Sequence, residues 1–228
     1  MEVLFEGKTY VFDKNKSQRV ELHKGWDQYG NGSISLYGTI TPYKVLAMAA
    51  YPYMDSAVLA RIDHGRIVRL NESLEENCMM KVITYREPEG RRAVGDSLTL
   101  IVNAVLVELG IVCDFDINCK ESSVDIQFIQ PVNLERIVSK LQEAIGLNLP
   151  LRRLLMQVCS AREILQYTGN SSACDDLKSV DDDEEILLCQ FKKYYGLANG
   201  YYVESSGWFA HCTIVNNLET NIIRLADL

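Results

Sequence analysis

Ile83-Thr84-Tyr85-Arg86-Glu87-Pro88-Glu89-Gly90, running on into Arg91-Arg92-Ala93-Val94-Gly95-Asp96-Ser97-Leu98-Thr99-Leu100, is where this chain changes its period. Before it, short apolar segments alternate with turn residues, as strands do. After it, Val94, Leu98, Ile101, Val102, Val105 and Leu106 recur at three- and four-residue intervals, which predicts a long helix over 91–109. Gly110 stands where such a helix needs a left-handed C-cap. The Glu-Pro-Glu-Gly tetrad at 87–90 interrupts both periods and marks the expected domain boundary.

Working back from that boundary, residues 78–85, 67–70 and 57–62 read as three strands, with Asp63-His64-Gly65 turning between the first two in chain order. Thr41-Pro42 has the chemistry of a helix start, Thr41 as N-cap and Pro42 at the first helical position. Val45, Leu46, Met48 and Ala49 form the expected buried face of that helix, and Pro52 marks its end. Val3-Leu4-Phe5 and Tyr10-Val11-Phe12 flank Glu6-Gly7-Lys8 as a hairpin, and Tyr29-Gly30-Asn31-Gly32 reads as a turn ahead of Ile34 and Leu36. Residues 1–88 are therefore expected to form a small sheet packed on one helix.

Working forward, residues 111–117 and 124–129 read as antiparallel strands and 131–145 as an amphipathic helix. Residues 151–159 alternate like a strand, with Ser160 capping a helix that runs to Tyr167. Gly169-Asn170-Ser171-Ser172 reads as a loop. The acidic run 181–185 reads as the start of a helix ending at Tyr195, where carboxylates suit the positive end of the helix dipole. Residues 201–203 and 209–215 complete the strand set. Helices mixed with antiparallel strands give an α+β fold, with 217–228 as a C-terminal connection.

The 228 residues carry a net charge of -8, and the excess is uneven. Residues 1–90 hold 11 basic against 12 acidic side chains, and 91–228 hold 12 against 19. An acidic surface repels phosphate backbones, which argues against nonspecific nucleic-acid binding. Seven cysteines, an odd number with no C-x-x-C, fit reduced thiols better than a disulfide framework. Neither a signal-peptide pattern nor an apolar run of about 18 residues is present. A cytoplasmic protein that does not enter membranes is the expectation.

Several segments resemble a known pair of domains. Residues 60–70, with Ile83 to Gly90, resemble the close of a TGS domain, the β-grasp module of threonyl-tRNA synthetase. Cys113-Asp114-Phe115-Asp116, Leu149-Pro150-Leu151-Arg152-Arg153, Ser160-Ala161-Arg162-Glu163-Ile164 and Val203-Glu204-Ser205-Ser206-Gly207 are similar to that enzyme's editing domain. The same pair stands ahead of the kinase domain in bacterial uridine-kinase-like nucleoside kinases. The resemblance implies a β-grasp unit at 1–88 and an editing-like unit at 89–216.

The editing site of the synthetase family uses a His-x-x-x-His pair on a helix with a Cys and a His from a Cys-x-x-x-His segment. Imidazoles at i and i+4 share a helix face and converge on one substrate. Here the corresponding positions are Asp96 and Leu100 on the helix, and Ala198 and Tyr202 in the later segment. Leu and Ala transfer no protons, bind no metal and attack no carbonyl. No catalytic or metal-binding residue is therefore assigned, and Asp96, Leu100, Ala198 and Tyr202 remain as the lining of a degenerate ligand cleft. Asp96 and Tyr202 could hydrogen-bond a small polar ligand. Against that stands a plain reading, with Asp96 on the surface near the helix start and Tyr202 filling space.

Other motifs are decoys. Gly90 to Ser97 matches G-x-x-x-x-G-K-[ST] except that Asp96 stands where a phosphate-binding lysine belongs. His211 and Cys212, as strand neighbours, would point to opposite faces and could not form a dyad. Five adjacent acids at 181–185 cannot all face one ion.

The resemblance then implies a non-catalytic regulatory or binding module of a nucleoside kinase. ATP and Mg²⁺ would serve a kinase domain outside these residues, and this segment would need no cofactor. Its partners would be that domain, a second copy or a small molecule. A segment of a synthetase relative with tRNA contact or editing hydrolysis is one alternative, and a free-standing ligand sensor is another.

Overall fold

Glu6 and Gly7, at φ of 48° and 74°, turn β1 (Glu2–Phe5) directly onto β2 (Lys8–Val11). Two left-handed residues in succession give the turn whose twist matches paired strands. The computed structural model describes the chain except at residues 13–17, 23–31, 37–38, 50, 53, 64 and 199, and gives the backbone course alone at 18–22, 32–36 and 55. The chain divides into two units, Met1–Arg91 and Arg92–Leu228.

In the first unit β3 (Gln18–Leu22) and β4 (Gly32–Leu36) pair as a separate ribbon. The turn read at 29–31 lies outside the described residues. Helix α1 (Pro42–Met48) starts as its sequence dictates, with Thr41 Oγ1 accepting the Lys44 N–H at 3.3 Å. It is followed by β5 (Ala57–Ile62), β6 (Arg66–Arg69) and β7 (Cys78–Thr84). The strands order as β2-β1-β7-β5-β6, with β1 parallel to β7 and every other neighbour antiparallel. One face of this sheet, through Val3, Phe5, Ala60, Ile62, Val68 and Met80, shares a core with Val45 and Leu46 of α1. Burying that face is what holds the single helix to the sheet.

Helix α2 (Pro88–Leu109) begins three residues earlier than its apolar period predicts. Glu87 makes that start, since its carboxylate accepts the Thr84 N–H at 2.9 Å and its carbonyl accepts the Arg91 N–H at 3.0 Å. Gly90 lies in this first turn with its Cα against Thr84 O, where a Cβ would come within 2.0 Å of that oxygen. The helix ends as expected, with Gly110 at φ 67° and the Ile111 N–H reaching back to Leu106 O.

The second unit continues with β8 (Phe115–Cys119), β9 (Ser123–Phe128), α3 (Leu134–Gly146), β10 (Arg152–Gln157), α4 (Val158–Tyr167) and α5 (Ser171–Asp176). It closes with β11 (Glu185–Phe191), β12 (Tyr194–Leu197), β13 (Thr213–Asn217) and β14 (Ile222–Ala226). Two antiparallel sheets result, ordered β10-β11-β12 and β13-β14-β9-β8. The α2 segment of this unit approaches both. Gly95 sits against Cys119 and Ile117 of β8, and Gly196 of β12 sits against Leu100. That double contact explains why Ala93, Val94, Ser97, Leu98, Leu100 and Ile101 are all buried rather than one stripe. The fold is α+β.

Several expectations need correction. Residues 186–195 form β11 and the start of β12, not a helix. Ile186 to Phe191 is a central strand hydrogen-bonded on both edges, and Lys192 at φ 53° turns it into β12. A strand buried on both faces shows a continuous apolar run, which a short helix also shows. Helix α4 starts at Val158 with Gln157 in the cap position, so Ser160 lies inside it. The loop read at 169–172 is the cap of α5, Asn170 Oδ1 accepting the Ala173 N–H at 3.1 Å. Helix α3 starts at Leu134 behind an Asn133 cap rather than at Pro131. Residues 201–203 belong to no strand, and Ser206–His211 is a 3-10 turn rather than strand. Residues 217–228, read as a connection, supply β14 between β13 and β9.

Candidate functional site

Asp96 and Leu100 lie one turn apart on α2 and share one face. Both border a cleft of about 380 Å3 in the second unit, and Tyr202 borders it too. Ala198 does not. Its backbone N–H donates to Leu187 O at 2.9 Å, extending the β11–β12 pairing. Three of the four positions singled out from the sequence therefore meet around one hollow. Asn199, between them in the chain, lies outside the described residues.

Each of the three is held for a structural reason. Leu100 is buried, with its Cδ1 3.1 Å from where a Cβ on Gly196 would stand. Tyr202 is buried and donates its hydroxyl to Leu197 O at 3.1 Å. Asp96 is neither at the helix start nor fully on the surface. Its side chain is 35% exposed, Arg92 Nε stands 3.9 Å away, and Gly200 passes so close that a Cβ there would meet Oδ2 at 2.4 Å.

The rest of the wall was not legible as a site. Asp114 and Phe115 reach it from the approach to β8, Asp176 from α5 and Tyr194 from β12. Thr99 and Asn103 continue the polar side of α2 into it. Tyr194 was hidden by the helix reading of 186–195, and Asp176 by the loop reading around α5. Cys113 also borders the hollow, and its only sequence signal was the Cys-Asp-Phe-Asp string.

Beneath the cleft, Ser97 joins α2 to the segment carrying Tyr202. Its hydroxyl donates to Ala93 O at 2.6 Å and accepts the Val203 N–H at 2.9 Å, with the residue wholly buried. A second serine does similar work nearby. Ser206 Oγ donates to Ala144 O at 2.7 Å and accepts the Leu149 N–H at 3.0 Å. The Ser205-Ser206 dipeptide thereby fixes the far end of the same segment to α3.

No family model matches the chain. Over 202 residues it is 20% identical to the threonine–tRNA ligase of Halalkalibacterium halodurans, covering 82% of this chain and 30% of that enzyme. The threonine–tRNA ligase of Oceanobacillus iheyensis is 20% identical over 192 residues, 78% of this chain and 28% of the enzyme. That of Natranaerobius thermophilus is 27% identical over 165 residues, 66% and 24%. Most of this chain is threonyl-tRNA synthetase-like. It spans less than a third of the length of the curated relatives it matches.

The chemistry available in this cleft follows from its environment. Burial pushes the Asp96 carboxyl above the ordinary carboxylate value, and Arg92 opposes the shift. Burial, with Asp114 adding to it, likewise raises the Cys113 thiol, so it stays protonated at neutral pH and is a poor nucleophile. Burial pushes the Tyr194 phenol up to about 12 and raises that of Tyr202 further. The wall thus presents neutral hydroxyls, a neutral thiol and carboxylates. Imidazole is absent from its lining. Among the described residues none of the wall carboxylates is hydrogen-bonded to a proton donor that would make an oriented acid–base pair.

Elsewhere, the Gly90 to Ser97 string that mimics a phosphate loop is entirely helical. His211 ends a 3-10 turn with its ring edge-on to Trp208 at 5.2 Å, and Cys212 follows it with a thiol pushed up to about 12 by burial. The described residues contain no group of three or more His, Cys, Asp or Glu placed to hold a metal ion. Among them no helix is long and apolar enough to cross a membrane.

Proposed function

We propose that this chain is a binding, non-hydrolytic counterpart of the synthetase segment it resembles, a TGS-like β-grasp unit followed by an editing-like unit. The observation that carries it is the cleft itself. Leu100 packs on Gly196 and Tyr202 bonds to Leu197 O where the editing pattern places imidazoles. The hollow is kept open, with polar walls, while the groups that would cleave an ester are replaced. The first-unit sheet order, with β1 parallel to β7 and hairpins on both flanks, supports the β-grasp reading.

The role is recognition of a small polar ligand in the cleft. Deacylation of mischarged tRNA tests it. The reading requires no turnover above the uncatalysed rate, and turnover abolished by substitutions at Asp96 would overturn it. The acidic excess of residues 91–228 argues in the same direction, since it disfavours docking a phosphate backbone there.

A second reading has one observation in its favour, the replacement of all four positions of the editing set. It makes the chain an accessory segment of a uridine-kinase-like nucleoside kinase, with ATP and Mg²⁺ acting in a kinase domain outside these residues. Uridine or ATP raising the melting temperature of this chain would favour it, and no shift with either would count against it.

A further inference from the structure

The cleft combines two features whose joint meaning is chemical. Its lining includes three carboxylates, Asp96, Asp114 and Asp176, and no Lys, Arg or His. Arg92 stands at its edge, 3.9 Å from Asp96 and largely exposed, and Arg153 acts on Tyr202 through its charge. Asp114 and Asp176 make no side-chain hydrogen bond or ion pair among the described residues, although Asp114 has its backbone fixed. The Gln130 side chain accepts the Asp114 N–H at 2.9 Å, and Asp114 O accepts the Ile129 N–H at 3.0 Å. The three carboxylates do not converge on a metal-sized point, so they are spread over the wall.

The second feature is independent of charge. Tyr194 is 8% exposed and borders the cleft, yet its hydroxyl has no hydrogen-bond partner among the described residues. Tyr202 beside it has bonded its own hydroxyl to Leu197 O. The ring is nearly buried while the hydroxyl is not sealed from solvent, so it opens on the cleft. Its free hydroxyl can serve a ligand as either donor or acceptor. Its ring, with that of Phe115 on the same wall, supplies an aromatic face that attracts cations.

We propose that the cleft takes a small organic polyamine, a flexible chain bearing two or more primary ammonium groups. Spread carboxylates match spaced ammonium groups better than a single ion. An ammonium N–H can donate to the Tyr194 oxygen, and the methylenes between charges can lie on the Tyr194 and Phe115 rings. Phosphorylated and carboxylated molecules are repelled, because the lining offers them no cation. The inference rests on the reading of the cleft as a binding site and names its ligand class.

Calorimetry of the full chain with spermidine and putrescine, at low and moderate salt, tests it. Saturable binding is expected, weakening with added salt as screened charge pairs do. Asp114→Asn and Asp176→Asn, both exposed positions that leave the core intact, should each weaken binding about three- to fivefold. Tyr194→Phe should weaken it by about fivefold, the size of one hydrogen bond. Inorganic phosphate and a nucleoside monophosphate should give no saturable heat. Absence of amine binding, or amine binding unchanged in both Asp variants, overturns the proposal. Binding of uridine that Tyr194→Phe weakens, with none of either amine, overturns the ligand class while leaving the binding role intact. Turnover of mischarged tRNA would instead overturn the non-hydrolytic reading.

Discussion

Ser97 Oγ, buried on α2, accepts the Val203 N–H at 2.9 Å while donating to Ala93 O at 2.6 Å. One hydroxyl thereby closes a link of 106 residues in sequence and holds the Tyr202 segment against the helix that carries Asp96 and Leu100. Ser97→Ala removes this hydroxyl acceptor from the buried Val203 N–H and the tie to Ala93 O with it. The expected loss is about 1–3 kcal/mol of stability, read by urea denaturation. A loss below about 0.5 kcal/mol would show that the link does not matter.

Gly90 tests the junction between the β7 turn and α2. A Cβ there would stand 2.0 Å from the Thr84 carbonyl oxygen and 2.7 Å from its carbon. Those are backbone atoms, so no side chain can swing aside. Gly90→Ala should cost about 3 kcal/mol or more despite the better helix propensity of alanine. A neutral or stabilising result in thermal denaturation would contradict the packing described for this turn.

Asp125 gives the chain an acid-sensitive element. Arg224 donates to it from Nε at 2.6 Å and from Nη2 at 2.9 Å, and Lys120 Nζ donates at 2.6 Å. The Arg224 hydrogen bonds, above all, hold its carboxyl at about 2 against an ordinary 3.8. The folded value lies below the unfolded one, so the stabilisation is complete above about pH 5 and disappears as pH falls through 2. Its partners are half exposed, which screens the interaction to on the order of 1 kcal/mol. Denaturation of the wild type and Asp125→Asn from pH 6 to pH 2 should show a gap that closes toward the acid end. A gap independent of pH would assign the difference to packing instead.

Leu100→His supplies the imidazole that the editing resemblance implies at this position, in a place shaped for a leucine. The new ring would be buried against Gly196, one turn from Asp96 on the same helix face. Destabilisation of about 2–3 kcal/mol is expected from the lost apolar packing and the unsatisfied nitrogen, with no gain of esterase activity. Wild-type stability in this variant would mean that the cleft is still built for histidine.

How far the sequence carried these results depended on how local each signal was. Thr41-Pro42 and Gly110 were readable because capping chemistry acts within a few residues. The Glu6-Gly7 turn was readable because left-handed backbone selects its residues. Residues 186–195 were misread because an apolar run buried between two neighbouring strands has no period to distinguish it from a buried helix. Residues 217–228 were misread because pairing of Ile222–Ala226 with β9 joins segments nearly a hundred residues apart. The same distance hid the site. Asp96 and Tyr202 could be singled out in the sequence, but Asp114, Asp176 and Tyr194 reach the cleft only through the fold.

The most direct test is single-turnover deacylation of mischarged tRNA by this chain, with the uncatalysed reaction run alongside. A cleft lined by Leu100 and Tyr202, with no imidazole, should leave the ester decaying at its uncatalysed rate. Acceleration of tenfold or more, lost in Asp96→Asn, would contradict the account.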